Sequence, residues 1–236
     1  MTRTRRRRWL RWLLRIGGAV ALVAIGLLVL WVMTWPDVGA LASSFPQTTA
    51  FIERDRAKGV AVRWRPVGYD EIADELKLAV LVAEDINFFS HGGFDTSEIS
   101  NAAREAFEGK RVRGASTITQ QLAKNLWLSP EKTAWRKLQE AVLTWRLERS
   151  LKKRRILELY LNVVQFGPGT YGAAAASSRY FGVPPSELDA NQAAQLAASL
   201  SRPSSWNPAS SSGGYARHVE RIRGRMQRAT WLEKLL

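Results

Sequence analysis

The chain has 236 residues, 46% of them hydrophobic, and carries 35 Lys+Arg against 21 Asp+Glu for a net charge of +14. That apolar content, with ten tryptophans, excludes a mainly disordered chain, and the length excludes more than two or three domains. Cysteine is absent, which removes disulfide scaffolds, thiol catalysis and thiolate-bound zinc. Two histidines, His91 and His218, disfavour a histidine-rich metal site. The basic balance points to an anionic partner: nucleic acid, phospholipid headgroups or a phosphorylated substrate.

Residues 1–15 hold seven arginines and no acid, leaving +7 for the other 221 residues. The next twenty, Ile16 to Trp35, carry no charge. As a helix they rise about 30 Å, the thickness of a bilayer core. They end on Trp31 and Trp35, where an interfacial aromatic belt belongs, before Pro36 and Asp37 break the run. A cleaved signal peptide would have a shorter apolar core and a small-x-small site, for which Gly39-Ala40-Leu41-Ala42 is a weak match. The expected organisation is a cytoplasmic Arg-rich tail over 1–15, an uncleaved transmembrane helix over 16–35, a connecting segment over 36–59 and a domain beyond the membrane over 60–236. The positive-inside rule sets this orientation, and such a tail needs no nucleic acid to explain it.

In the connecting region, Val60 to Trp64 is strand-like. Asp70 is a candidate N-cap for a helix through Glu84, with Ile72, Leu76, Ala79, Val80 and Ala83 at helical spacing. Further helices are expected over 96–108 and 116–126. Ser129-Pro130-Glu131 predicts a helix start, cap then Pro at N1, for a long helix to about Leu151. Helices over 154–163 and 171–181 flank a Gly-rich turn. Another runs from Ser186 to Leu200, then a Ser/Pro/Gly-rich loop over 202–214 and a final basic helix over 215–235. The fold class is mainly α.

Two motif matches fail on context. Gly167-x-Gly169-x-x-Gly172 fits a dinucleotide loop, but the preceding segment reads as helix and Pro168 lacks an N–H to offer a phosphate. Ser129-x-x-Lys132 fits an acyl-enzyme serine, but the downstream elements that such a site needs are missing. His91 with Asp95 makes a weak metal site, and a hydrogen-bonded structural histidine is the better reading. No metal-ligating residues are assigned.

Three clusters carry more. Glu84 ends an apolar helical run and precedes Asp85 and an aromatic, Gly-rich turn. A carboxylate at the rim of an apolar helix is partly desolvated, which raises its pKa and makes it a better base near neutrality. A surface glutamate at a fraying helix end is the plainer alternative. Ser116 to Asn125 packs seven polar side chains with one charge into ten positions. Small hydroxyls at a helix start followed by amides and Lys124 suit an anion or a sugar, while a capped helix with buried amides fits equally well. Arg136 and Glu140 stand at i, i+4, either as a plain ion pair or as a catalytic carboxylate flanked by phosphate-binding cations.

Together these segments resemble glycosyltransferase family 51, the peptidoglycan glycosyltransferases. Glu84-Asp85-x-x-Phe88-x-x-His91-x-Gly93-x-Asp95 matches the first family motif, and Gly114-x-Ser116-Thr117-x-Thr119-Gln120-Gln121-x-x-Lys124-Asn125 the second. Arg136-Lys137-x-x-Glu140 matches the third. Ile156-Leu157-Glu158-x-Tyr160-Leu161-Asn162 with Phe166-Gly167-x-Gly169-x-x-Gly172 matches the fourth, and Ala193-Ala194-x-Leu196-Ala197 with Pro203 and Asn207-Pro208 the fifth. Ala115 replaces a usual second glycine, and Asn191 and Gln192 stand where an acid is common. The match spans about residues 60–210 and resembles the monofunctional biosynthetic form.

The resemblance implies a lysozyme-like helical lobe with a small membrane-proximal jaw, held at the inner membrane with its catalytic domain periplasmic. It implies polymerisation of lipid II into β-1,4-linked glycan with inversion and loss of undecaprenyl pyrophosphate. Glu84 would be the general base and Glu140 would assist departure of the pyrophosphate. Asp85, Phe88, His91, Ser116, Thr117, Gln120, Gln121, Lys124, Asn125, Arg136 and Lys137 would line the substrate site. No organic cofactor is implied; a divalent cation at the pyrophosphate is. The partners are lipid II, the growing lipid-linked glycan, the membrane and other cell-wall synthesis proteins. A lysozyme-like muramidase or lytic transglycosylase is the alternative, and a membrane-anchored scaffold without catalysis a more distant one.

Overall fold

The structure is a computed structural model that describes residues 3–98, 100, 104, 108 and 116–236. Most of the helix expected over 96–108 falls outside the described residues, as do Gly114 and Ala115 of the second motif. The chain divides into two compact units, Met1–Asp37 and Val38–Leu236.

The first unit is one helix, α1 (Arg3–Met33), closed by an edge-to-face contact of Trp31 and Trp35 with ring centroids 4.7 Å apart. The apolar run is helical almost to its end, and the helix continues back through the arginines. Among the described residues, no helix is long and apolar enough to cross a membrane.

The second unit is mainly helical. Its central element is α3 (Asp74–Glu84), whose Leu76, Leu78, Ala79, Val80, Leu81 and Val82 are all buried. A helix buried on most of its faces must be surrounded by others. Here α8 (Ala190–Ser199) and α9 (Gly213–Met226) cover it. Asp70 opens a short 3-10 turn, Tyr69–Glu71, and α3 starts only at Asp74. The reason lies in Gly68, whose N–H donates to Glu71 Oε2 at 2.7 Å and holds a separate turn.

A second helical layer is built from α4 (Ile118–Trp127), α5 (Ala134–Ser150) and α6 (Lys153–Val163), with α4 packed on both others. The start expected at Ser129-Pro130 does not form. Thr133 caps α5 instead, its hydroxyl accepting from Arg136 N at 3.1 Å. The connecting segment hides a two-turn helix, α2 (Ala50–Ala57), capped by Thr49 and anchored by buried Ile52 and Asp55. Asp55 accepts from the Tyr171 hydroxyl at 2.7 Å.

The glycine-rich turn after α6 is a small sheet rather than a helix–helix turn. Its strands β1 (Arg63–Trp64), β2 (Gln165–Gly167) and β3 (Thr170–Tyr171) lie in the order β1-β3-β2. A strand does precede the glycines, but β2 runs antiparallel to β3 and no helix crosses between them, so the dinucleotide match still fails. Gly172, at φ +79°, turns the chain into α7 (Ala173–Phe181); a Cβ there would lie 2.5 Å from the Asn162 carbonyl oxygen. Asn162 is fully buried, and its amide pairs with both the N–H and the carbonyl of Val67, at 2.8 and 2.9 Å. This pairing ties the segment leading to α3 onto α6.

Candidate active site

The last turn of α3 and the first turn of α4 meet through Asp85. One carboxylate oxygen accepts from the Ile118 backbone N–H at 2.9 Å, and the other contacts His91 Nε2 at 2.9 Å. His91 Nδ1 accepts from Gly93 N–H at 3.1 Å, so the ring proton sits on Nε2 and is donated to Asp85. Thr117 and Gln120 form a reciprocal capping box on α4, and the Thr117 hydroxyl also donates to the Gly93 carbonyl at 2.7 Å. Phe88 is fully buried, with Lys153 Nζ 4.4 Å above its ring. Asp85, Phe88, His91, Thr117 and Gln120 therefore build the junction itself. Asp95 stands beside it and accepts from Asn87, from the Ser97 hydroxyl and from the backbone N–H groups of Ser97 and Glu98. Burial acts to raise its pKa, but those hydrogen bonds outweigh it and hold the carboxyl at about 2.

Asp85, His91 and Asp95 bring ligand atoms within 4.8 Å of one another. Their acceptor positions are already engaged by protein N–H and O–H donors, so this cluster is a hydrogen-bonded joint and not a ligand set. Both ring nitrogens of His91 make hydrogen bonds within the protein.

That joint aims one face of α4 at the end of α3. Gln121 Nε2 donates to Glu84 Oε2 at 2.7 Å, and its Oε1 accepts from the Tyr160 hydroxyl at 2.9 Å. Glu84 is densely surrounded yet keeps part of its surface open. Burial raises its pKa; the Gln121 hydrogen bond and the Lys124 charge oppose this, and neighbouring Asp85 adds to it. Lys124 lies within the field of both acids of interest. Burial lowers its pKa, Glu140 and Glu84 raise it, and Arg136 and Lys137 push it down again.

Glu140 is buried in the second turn of α5, and each of its oxygens is held by a cation: Arg136 on Oε2 and Lys137 on Oε1. The Arg136 Nε is buried without a partner. Six expected site residues thus converge: Glu84, Gln121, Lys124, Arg136, Lys137 and Glu140. Ser116 is exposed before the α4 cap, and Asn125 is buried one turn beyond Gln121. Tyr160 was not among the expected site residues. Its signal was a lone hydroxyl within the segment Ile156 to Val163, where it stands between Leu159 and Leu161 on the helix that packs against α4.

The Transglycosylase family profile matches residues 54–227, about three quarters of the chain. The chain belongs to the transglycosylase family. It is 42% identical over 231 residues to the biosynthetic peptidoglycan transglycosylase of Azoarcus sp. (strain BH72), covering 94% of this chain and 96% of that one. The Alcanivorax borkumensis protein of the same name is 45% identical over 232 residues, covering 98% and 87%. The one from Methylobacillus flagellatus is 40% identical over 218 residues, covering 90% and 95%. Membership carries an enzyme of glycosyl transfer.

Proposed function

We propose that this transglycosylase polymerises lipid II with inversion, using Glu84 as general base and the Lys124–Arg136–Lys137 group as the seat of the leaving pyrophosphate. The 4-hydroxyl of the acceptor GlcNAc gives its proton to Glu84 as its oxygen bonds to C1 of the donor MurNAc. The bond from C1 to the pyrophosphate oxygen breaks with its electron pair, and the α linkage becomes a β-1,4 linkage. A carboxylate whose pKa is raised by burial suits proton abstraction near neutrality. The three cations Lys124, Arg136 and Lys137, clustered around Glu140, suit charge that grows on a departing pyrophosphate.

The observation that carries this reading is the arrangement of the two acids. Glu84 has an amide and one more distant cation for neighbours; Glu140 is wrapped by two cations. Glu140 therefore acts as the holder of Arg136 and Lys137. A divalent cation bound by protein at this point fits poorly: a hard cation takes about six oxygen ligands, and the one carboxylate here already has a cation on each oxygen. A muramidase acting on finished glycan has no pyrophosphate to stabilise, and the cationic group argues against it.

The arginine-rich start of the chain and the uncharged run Ile16 to Trp35 that follows it favour an inner-membrane anchor with the amino terminus cytoplasmic and the catalytic unit periplasmic. The test of the chemistry is glycan-strand synthesis from lipid II. Glu84→Gln is expected to abolish strand formation while lipid II binding persists; polymerisation at the wild-type rate would remove Glu84 as the base.

A further inference from the structure

Two hydrogen bonds in series run from the protein interior to the Glu84 carboxylate. Tyr160 has no exposed surface, and its hydroxyl ends on the Gln121 amide oxygen. The nitrogen of the same amide ends on Glu84 Oε2. Among the described residues, the other carboxylate oxygen, Oε1, makes no hydrogen bond.

We propose that Tyr160 is a positioning residue for the Glu84 base: its hydroxyl fixes the Gln121 amide with the NH2 toward the carboxylate, which leaves Glu84 Oε1 to meet the acceptor hydroxyl. The inference rests on the reading of Glu84 as the base.

A primary amide has two ends of nearly equal size and opposite hydrogen-bonding character. Were Gln121 turned over, its carbonyl would face the carboxylate, acceptor against acceptor. A phenol donating to the carbonyl selects the other orientation and also polarises the amide, strengthening its N–H as a donor. Tyr160 keeps its proton throughout the working range, because burial raises its pKa and the nearby charges of Glu84 and Asp85 raise it further. The donor is thus permanent.

The other groups around Glu84 do not supply this function. Lys124, on α4, acts on it through charge, and Asp85, next in the chain, acts in the opposite sense. Of the elements packed on α3, α8 carries no ionisable side chain. In α9, Arg225 donates to the Val82 carbonyl at 3.2 Å. In the terminal 3-10 turn, Thr230–Leu235, the charged residues Glu233 and Lys234 are exposed. The hydrogen bond from Gln121 is the contact that favours the ionised form of Glu84 and can be cut without moving a charge.

The measurement is the pH profile of kcat/KM for strand synthesis from lipid II by the full chain. Tyr160→Phe keeps the ring and removes the donor. It is expected to move the acid limb upward by about half to one pH unit, with a loss of roughly three- to tenfold on the limb and a smaller one on the plateau. Gln121→Leu is expected to move the limb at least as far, and the double variant no further than Gln121→Leu alone. Site-specific 3-fluorotyrosine at 160, a stronger donor of nearly the same volume, should move the limb downward. That variant decides the matter if Tyr160→Phe fails to fold. A limb that stays put in these variants, with rates lowered equally at every pH, overturns the proposal, as do additive shifts in the double variant. The underlying reading fails separately: an active Glu84→Gln would remove the base, whereas an inactive Glu84→Gln with an unmoved limb at Tyr160 would remove only the positioning role.

Discussion

The end of α3 and the second turn of α5 each bury a glutamate, and the two are given opposite company. Glu84 faces an amide that a buried tyrosine holds in place, and its burial raises its pKa. Glu140 has Arg136 on one oxygen and Lys137 on the other. On the proposed reading the same side chain is a proton acceptor in the first setting and a counter-ion in the second. Residue type alone does not separate these roles; the neighbours within one hydrogen bond do.

The strongest way to break the contrast is Glu84→Gln, which keeps the shape and removes the proton acceptor. The expected loss is about 10²–10⁴-fold in kcat, read from strand synthesis. Next comes Glu140→Gln, which leaves two cations without their partner. Breaking a buried pair from one side costs about 3–5 kcal/mol. Because Lys137 keeps 51% of its side chain exposed, the expected cost is nearer ~2–3 kcal/mol, measured by denaturant unfolding. At Glu84 the same glutamine should leave stability intact or improve it.

Asp95 sharpens the comparison as a third setting, a carboxylate held only by neutral donors. Its pKa is about 2, below its ordinary 3.8. The stability it contributes is therefore present above pH 3.8 and disappears as the pH falls through 2. Asp95→Ala is expected to cost about 1–2 kcal/mol at neutral pH, an effect that should shrink in acid. The smallest effect concerns Glu84 again, with the sign reversed. Its folded-state pKa lies above the ordinary 4.5, so the folded protein binds that proton more tightly and loses stability as pH rises through this range. Glu84→Gln should melt above the wild type at neutral pH, and the two should converge below 4.5. A Gln variant that melts lower at neutral pH would contradict the burial penalty.

Much of this was legible in the sequence where periodicity is strong. The apolar repeat of α3 and the hydroxyl-rich start of α4 each read as helix, and the 3–4 spacing put Arg136, Lys137 and Glu140 on one helix face. Elements that owe their existence to distant partners did not. In α2, a polar octapeptide with weak periodicity is helical because Thr49 caps it and Asp55 bonds to Tyr171, 116 residues away. The β2–β3 hairpin is a few residues long, too short for alternation to show. At the start of α5 two caps competed, and Thr133 won over Ser129 although the latter carried the proline.

Within the site, spacing left the roles of the acids and cations open, and it was the family resemblance that set Glu84 and Glu140 apart. Thr117 and Gln120 are hydroxyl and amide at a helix start, as suited to a sugar as to a capping box. Only the 2.7 Å bond from Thr117 to Gly93, and the reciprocal cap, show that they build the junction. Tyr160 was missed for the complementary reason. A hydroxyl between Leu159 and Leu161 looks like a core tyrosine until its partner is seen.

The clamp on Glu140 has a kinetic meaning. Three cations that grip a pyrophosphate well enough to help it leave would also retain it afterwards, and turnover would stall on release. A carboxylate already seated on two of them is a resident competitor. On the proposed reading it would return to Arg136 and Lys137 as the departing group loosens, and the protein would carry its own displacing ion.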